Sequence, residues 1–301
     1  MNRSKIIGST ALASLMAASA ASAEMSLSGY ISGKFQDADG GGATQSFSTN
    51  SIYVSYSDSL DNGMGLSVVM SVSQGGANEA GVTIDTGMGS VSFGETADSA
   101  VDGFDSNPGC FSIRICYSVA ISGKNGGTDL YDDGDGPSGN SVKYSNSMGG
   151  VSFAVSRGME SATFEPTMSY AASTSIMGAS IAAGVSQIDR KGTGVDQDPS
   201  FVTVGYSIAG LNLGYAVYDS DTNGEETSMG VGTSVMGMDV GVQFASYDTS
   251  EASTTDTDYM RVSVNKGMGA ASFGIDYLET DVAGGSADDT DTWHLNYVIG
   301  F

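Results

Sequence analysis

Apolar and polar residues alternate at every second position through most of this chain, and the alternating runs are joined in pairs by short glycine turns. After Met236-Gly237, the residues Met238, Val240, Val242 and Phe244 alternate with Asp239, Gly241, Gln243 and Ala245. A period of two puts all the apolar side chains on one face of an extended strand, which a helix with its period of 3.6 cannot do. The pattern recurs at Leu211/Leu213/Tyr215/Val217, Ala179/Ile181/Ala183/Val185 and Leu66/Val68/Met70/Val72. It also precedes the turns, as in Ile52/Val54/Tyr56, Val202/Val204/Tyr206 and Met260/Val262/Val264. The turns are versions of one peptide: NGMGLSV (62–68), TGMGSVS (86–92), SMGGVSF (147–153), SIMGASI (175–181), SIAGLNL (207–213), SVMGMDV (234–240) and KGMGAAS (266–272). Seven hairpins account for fourteen strands. Met25/Leu27/Ile31/Phe35 and Trp293/Leu295/Tyr297/Ile299/Phe301 add one at each end, for sixteen.

A two-sheet sandwich would also alternate, but the connections at its two ends have no reason to differ. Here one set is short, small and nearly uncharged. The other is long and acidic: QDADGGGATQ, DRKGTGVDQDP, DSDTNGEE, DTSEASTTDTD and ETDVAGGSADDTD. Tight turns on the periplasmic side and longer loops outside are the pattern of transmembrane barrels. Hydrocarbon offers no partner to the N–H and C=O groups of an edge strand, so such a sheet must close on itself. The expected fold is therefore all-β, a sixteen-stranded antiparallel transmembrane barrel, wide enough for an aqueous channel. Its lumen face is the Ser, Gly, Thr, Asn and Asp half of each strand.

Residues 1–23 stand apart. Arg3 and Lys5 precede a short apolar run, and Ala21-Ser22-Ala23 has the small residues of a signal-peptidase site, so a signal peptide is expected at 1–23 and the barrel at 24–301. A membrane anchor is the competing reading, but it needs roughly 20 apolar positions. Without Arg3 and Lys5 the 11 basic residues fall to 9 against 35 acids, a formal charge of −26. Nucleic-acid binding needs clustered Lys and Arg, which this chain lacks, so it is excluded. Disorder, the other reading of an acidic Gly/Ser-rich chain, does not produce strict alternation.

One hairpin is irregular. Between GSVSFGE (89–95) and GNSVKYS (139–145) about thirty extra residues enlarge the third external loop, 96–139. Long insertions of this kind are usually functional or disordered. Within it Ile113, Ile115, Tyr117, Val119 and Ile121 alternate as well. A barrel with both ends periplasmic needs an even strand count, so 113–121 is expected to be loop against the inner wall.

The sixteen strands, the loop enlarged directly after GSVSFGETADSAVDG, the acidic DLYDD within it and the last strand WHLNYVIGF together resemble the Rhodobacter-type, alphaproteobacterial general porins, a branch of the Gram-negative porins. The resemblance implies a third loop folded into the lumen, where it narrows the channel opposite basic wall residues, and a homotrimer. It also implies that Phe301 belongs to the signal read by the barrel-insertion machinery. The setting it implies is the outer membrane of a Gram-negative bacterium, among its lipid and lipopolysaccharide. Strand parity turns Lys34, Lys143 and Arg261 inward. Opposite them, the loop would bring Asp98, Asp102, Asp105, Asp129, Asp132, Asp133 and Asp135, with Arg114 in the same loop. A solvated loop surface is the plainer reading of those acids. Opposed charges across a constriction set ion selectivity, and with so few bases on the wall the expected preference is for cations. Cys110 and Cys116 depart from the family pattern. In an oxidising envelope they are expected to pair as a disulfide, and a metal pair is disfavoured because no neighbouring His completes a ligand set.

Other chemistry is thinly represented. His294, the sole histidine, alternates with Trp293 and Leu295 and so faces the lumen, where a pore-lining role outweighs catalysis. No enzyme activity and no cofactor are expected. Asp219, Asp221, Asn223 and Gly224 match the start of a calcium loop, but Gly230 stands where the bidentate Glu belongs. A polar hairpin tip is the first reading there and a weak calcium site the second. The expected function is passive diffusion of small hydrophilic solutes and ions. A substrate-selective channel of the same fold, or a plugged structural or adhesive surface barrel, is the alternative.

Overall fold

The structure is a computed structural model that describes residues 24–38, 42–73, 79–94, 97, 99–104, 141–160, 165–192, 196–219, 224–249, 256–282 and 290–301. Its strands are β1 (Glu24–Ala38), β2 (Gly42–Ser59), β3 (Gly65–Ser73), β4 (Glu79–Asp85), β5 (Ser90–Gly94), β6 (Ser141–Met148), β7 (Val151–Gly158) and β8 (Met168–Ile176). They continue as β9 (Ala179–Gln187), β10 (Ser200–Ile208), β11 (Leu211–Asp219), β12 (Gly224–Val235), β13 (Met238–Thr249), β14 (Thr257–Met268), β15 (Ala271–Val282) and β16 (Thr290–Gly300). Each strand pairs antiparallel with its sequence neighbours, and β1 pairs with β16, so the sheet is a closed barrel. The sixteen strands and the closure agree with the periodicity of the sequence.

The inside and outside of the wall follow from the register. Leu27, Ile31, Phe35, Val202, Leu213, Tyr215, Phe244, Ile275, Leu295 and Ile299 are exposed on the outer face, where they would meet hydrocarbon. Their neighbours along each strand, among them Ser32, Ser156, Ser169, Thr203, Ser228, Ser263 and Asn296, are buried polar residues of the inner face. Inner-face hydroxyls bond across strands, as Ser169 and Ser186 do at 2.8 Å. No membrane-spanning helix is present among the described residues, which says nothing against crossing by strands.

Five of the seven short connections are two-residue turns. At Met177-Gly178, Ala209-Gly210, Met236-Gly237 and Gly149-Gly150 both central residues have positive φ, between 50° and 85°. That is the type I′ turn, whose twist matches that of the flanking strands. At 269–270 only Gly269 is positive, at 66°, which makes it type II′. Thr86 instead closes a longer turn, donating its N–H to the Gly89 carbonyl at 2.9 Å.

The closing seam is built around two glycines. Gly29 donates to the Phe301 carbonyl and accepts from the Phe301 N–H, both at 3.0 Å. A Cβ on Gly29 would strike the Phe301 ring and lie 2.7 Å from the Ser51 carbonyl oxygen, and one on Gly33 would strike Tyr297. Phe301 and Tyr297 thus place their rings against glycines of the first strand.

Strand lengths vary more than bilayer thickness alone requires. β5 has only five residues and ends at Gly94, whose φ of 101° is open to glycine and strained for other residues. A Cβ there would also lie 2.5 Å from the Ala80 carbonyl oxygen. The chain leaves the wall at this glycine, at the start of the enlarged loop.

Candidate functional site: the inner wall of the barrel

Residues 99–104, the described opening of the third loop, lie against the inner wall. The Ala100 N–H donates to Ser156 Oγ on β7 at 2.8 Å. Val101 is fully buried in a cluster with Ala171 on β8, Phe201 on β10, Ala216 and Tyr218 on β11 and Tyr247 on β13. Gly184 on β9 leaves the room, because a Cβ there would strike the Phe201 ring and come within 2.9 Å of Val101 Cγ1. The segment is folded on itself by reciprocal caps. Asp102 Oδ2 accepts the Ser99 N–H at 2.6 Å, and Ser99 Oγ accepts the Val101 N–H at 3.3 Å. Phe104, packed beside the cluster, helps line a cavity of about 440 Å³ with Ser90, Ser145 and Ser152.

Asp102 therefore has a local structural task in addition to its charge. Asp98, Asp105, Arg114, Asp129, Asp132, Asp133 and Asp135 lie outside the described residues, as do Cys110, Cys116 and the alternating stretch 113–121. So do Asp221 and Asn223 of the candidate calcium loop. Asp219 ends β11 opposite Ser200 and Glu225. Among the described residues no group of three or more His, Cys, Asp or Glu side chains is arranged to hold a metal.

The wall residues fall where parity places them. Lys143 on β6 sits between Ser92 and Ser156, both inward. Lys34 on β1 lies beside Asn296 on β16, and His294, two residues before Asn296, lies beside Asp276 on β15. Arg261 on β14 pairs with Gln243 on β13, whose Oε1 accepts from Nη1 at a loose 3.5 Å. Gln243 Nε2 in turn donates to Ser228 Oγ at 2.8 Å. Asp276 accepts from Asn296 Nδ2. The charged neighbours of Arg261 are Asp276 and Glu226, and those of His294 are Lys34 and Arg261. β1 from one end of the chain and β14 and β16 from the other thus gather Lys34, Arg261 and His294 on one side of the lumen, with Lys143 elsewhere on the wall.

Two participants were missed by reading the loop alone. Glu226 and Asp276 are fully buried acids of the inner face, 0 % exposed in each case. Parity carried the signal, since Asp276 stands between the outward Ile275 and Tyr277. What the described surface offers chemically is a polar, charged wall with an apolar anchor for one loop.

Comparison with known proteins agrees with this geometry. A family model described as Gram-negative porin matches residues 8–298. No curated protein matches the chain. Among solved structures, a point-mutant form of Rhodobacter blastica porin superposes with a TM-score of 0.72 at 18 % identity, covering 92 % of this chain and all of that one. A loop-deletion mutant of the OmpT outer-membrane protein of Vibrio cholerae gives 0.68 at 13 % identity, over 93 % of this chain and all of its own. A porin refined at 1.8 Å gives 0.64 at 15 % identity, over 92 % and all of its length. At these identities the solved structures establish the fold, and the match over nearly the whole sequence establishes that the chain belongs to the Gram-negative porin family.

Proposed function

We propose that this outer-membrane channel, a non-enzymatic barrel for passive diffusion, favours cations and works as a homotrimer after removal of residues 1–23. The observation that carries the selectivity is the charge balance of the described inner face. Register turns Lys34, Lys143 and Arg261 inward against the acids Glu79, Asp85, Glu226, Asp239 and Asp276. With the low-dielectric wall behind it, a lumen of net negative charge concentrates counter-ions and raises the barrier to anions. The acidic loop residues 129–135 add to the same sign. Their approach to Lys34 and Arg261 would give the constriction a transverse field. Small hydrophilic solutes then pass according to size and polarity, with no covalent step and no coupled energy source. Trimer formation, contact with lipopolysaccharide and reading of Phe301 by the insertion machinery belong to the same proposal and rest on membership of the family.

The test is the reversal potential of the purified full chain in a planar bilayer under a salt gradient. A cation-favouring potential with current steps in triplets is the expected result. A potential near zero or of opposite sign removes the selectivity, single steps remove the trimer, and no current at all identifies a plugged barrel.

A further inference from the structure

Phe201, Tyr218 and Tyr247 interrupt the polar inner face because Val101 covers them, and Tyr259 packs beside that cluster. Tyr30 on β1 and Tyr53 on β2 interrupt it too, and neither belongs to the cluster. Ile31 and Ile52, next to them in the chain, are exposed on the outer face, so both tyrosines point into the lumen. Their rings lie 6.3 Å apart between centroids and 20° from parallel, and both residues are half-buried. The Tyr53 hydroxyl has Ser51 and Tyr30 as hydrogen-bonding neighbours, which leaves the ring faces as what the pair offers to the lumen. Tyr53 pairs with Ser71 on β3, and Ser71 with Glu79 on β4, so the three form one row across the inner wall. Tyr53 and Glu79 are then two strand spacings apart, roughly 10 Å between backbones. Ser71 between them is small, and its Oγ donates to Glu79 Oε2 at 3.3 Å, which ties the carboxylate to the row. Glu79 is also the charged neighbour of Tyr53. The base on the same strand as Tyr30, Lys34, stands four residues further along, roughly 13 Å of extended chain away.

We propose that Tyr30, Tyr53 and Glu79 form a binding site for organic ammonium solutes on the lumen wall. The assignment rests on the diffusion-channel reading above, to which it adds a solute class. The face of a tyrosine ring is the negative side of its quadrupole and attracts a cation held within about 6 Å of the centroid. Two such faces side by side, with a carboxylate in the same row, attract a positive charge from two directions. An alkylated ammonium gains from both, because its charge is spread over methyl or methylene groups that lie against a ring at little cost in hydration. A hydrated inorganic cation gains only from Glu79, and a neutral sugar only from the rings. Binding to a site in an open lumen must stay weak enough for release, so the solute is slowed in passage and not trapped.

The experiment titrates the full chain in nonionic detergent with choline chloride by calorimetry, and reads the potassium current of the same protein in a planar bilayer as choline is added. Saturable binding is expected, with a fall in potassium current over the same concentration range. A variant with Y30L and Y53L, which keeps apolar bulk but removes the rings, should bind choline about fivefold more weakly. Glu79→Gln, which removes the charge, should weaken binding about tenfold. A variant with Y30F and Y53F keeps both ring faces and should bind within about twofold of the parent. The heat-modified gel shift checks that each barrel is folded. Absence of saturable binding, unchanged affinity in the folded leucine or glutamine variant, loss of binding in the phenylalanine variant, or glucose binding as tightly as choline would each overturn the proposal. Choline binding that keeps this pattern in a protein passing no current would remove the channel reading and keep the site.

Discussion

Replacing Val101 by Ala tests whether one apolar contact holds the start of the third loop against the wall. Val101 is 0 % exposed and fits between Phe201, Tyr218 and Tyr247, above the space that Gly184 leaves open. The substitution removes the equivalent of two methylenes, worth about 1.6 kcal/mol in transfer free energy. The rigid aromatic and glycine surroundings cannot collapse into the gap, and the cavity raises the loss to about 2–3 kcal/mol. The hydrogen bond from Ala100 to Ser156 and the Ser99–Asp102 caps remain, so the loss falls on docking and not on the turn itself. At about 2 kcal/mol the undocked fraction rises roughly 30-fold. In a planar bilayer this reads as added flicker in the open-channel current at unchanged reversal potential, with the heat-modified gel shift of the folded barrel intact. Open-channel noise equal to the parent's, in a variant whose barrel folds normally, would refute the anchoring role of Val101.

Three further outcomes follow from other parts of the wall. Gly29→Leu or Gly33→Leu drives a side chain into Phe301 or Tyr297 at the closing seam, and overpacking of this kind costs about 1–3 kcal/mol, seen as a lower urea midpoint for the folded form on gels. Met177→Gly relieves a left-handed backbone and should raise that midpoint by an amount corresponding to about 0.5–1 kcal/mol, since the side chain contributes no packing. Outside the membrane, the ammonium of Lys191 donates to Glu160 and holds its carboxyl below the usual carboxylate range, first through the hydrogen bond and then through its charge. Because the folded value is depressed, this contact favours the folded loop above the ordinary carboxylate pKa and is lost as pH falls through the lower folded value. Lys191→Ala should return the Glu160 titration, followed by carbon NMR of labelled glutamate, to its ordinary position, and an unmoved titration would show that the pair does not form.

The barrel was legible because a membrane wall is a nearly one-dimensional problem. Lipid on one side and water on the other impose a strict period of two, and Met238/Val240/Val242/Phe244 could be assigned a face before any pairing was known. The turns were equally plain, since a positive φ at Gly178, Gly210 or Gly237 leaves a glycine in the sequence. What escaped is the exception to the inner-polar rule. Phe201, Tyr218 and Tyr247 occupy lumen-facing positions, and their apolar surface is explained by Val101, which is far away in sequence. Three large side chains of the wrong polarity on β10, β11 and β13 were the available signal, but a period-two reading treats each as a local irregularity. The short Ser99-to-Asp102 cap was hidden for a related reason: an aspartate in an acidic loop looks like pore charge until the N–H it accepts is located. Glu226 and Asp276 were hidden by attention to the loop, although the alternation around Asp276 assigns it to the lumen without ambiguity.

The seam between β1 and β16 also has a kinetic meaning. Every other pairing in the wall joins strands adjacent in sequence, so each can form as a local hairpin or by adding one strand to an existing edge. Only the contacts from Gly29–Phe301 to Ala38–Thr292 join the two ends of the barrel. Bringing together ends separated by roughly 270 residues costs about 5 kcal/mol of chain entropy if the intervening chain is still flexible, and much less once fifteen strands are already in order. Closure is therefore favoured as the last event, and until it happens the first and last strands are the two open edges of the sheet. The strand that runs to Phe301 is one of those two edges, and its pairing with β1 is the moment at which the cylinder seals.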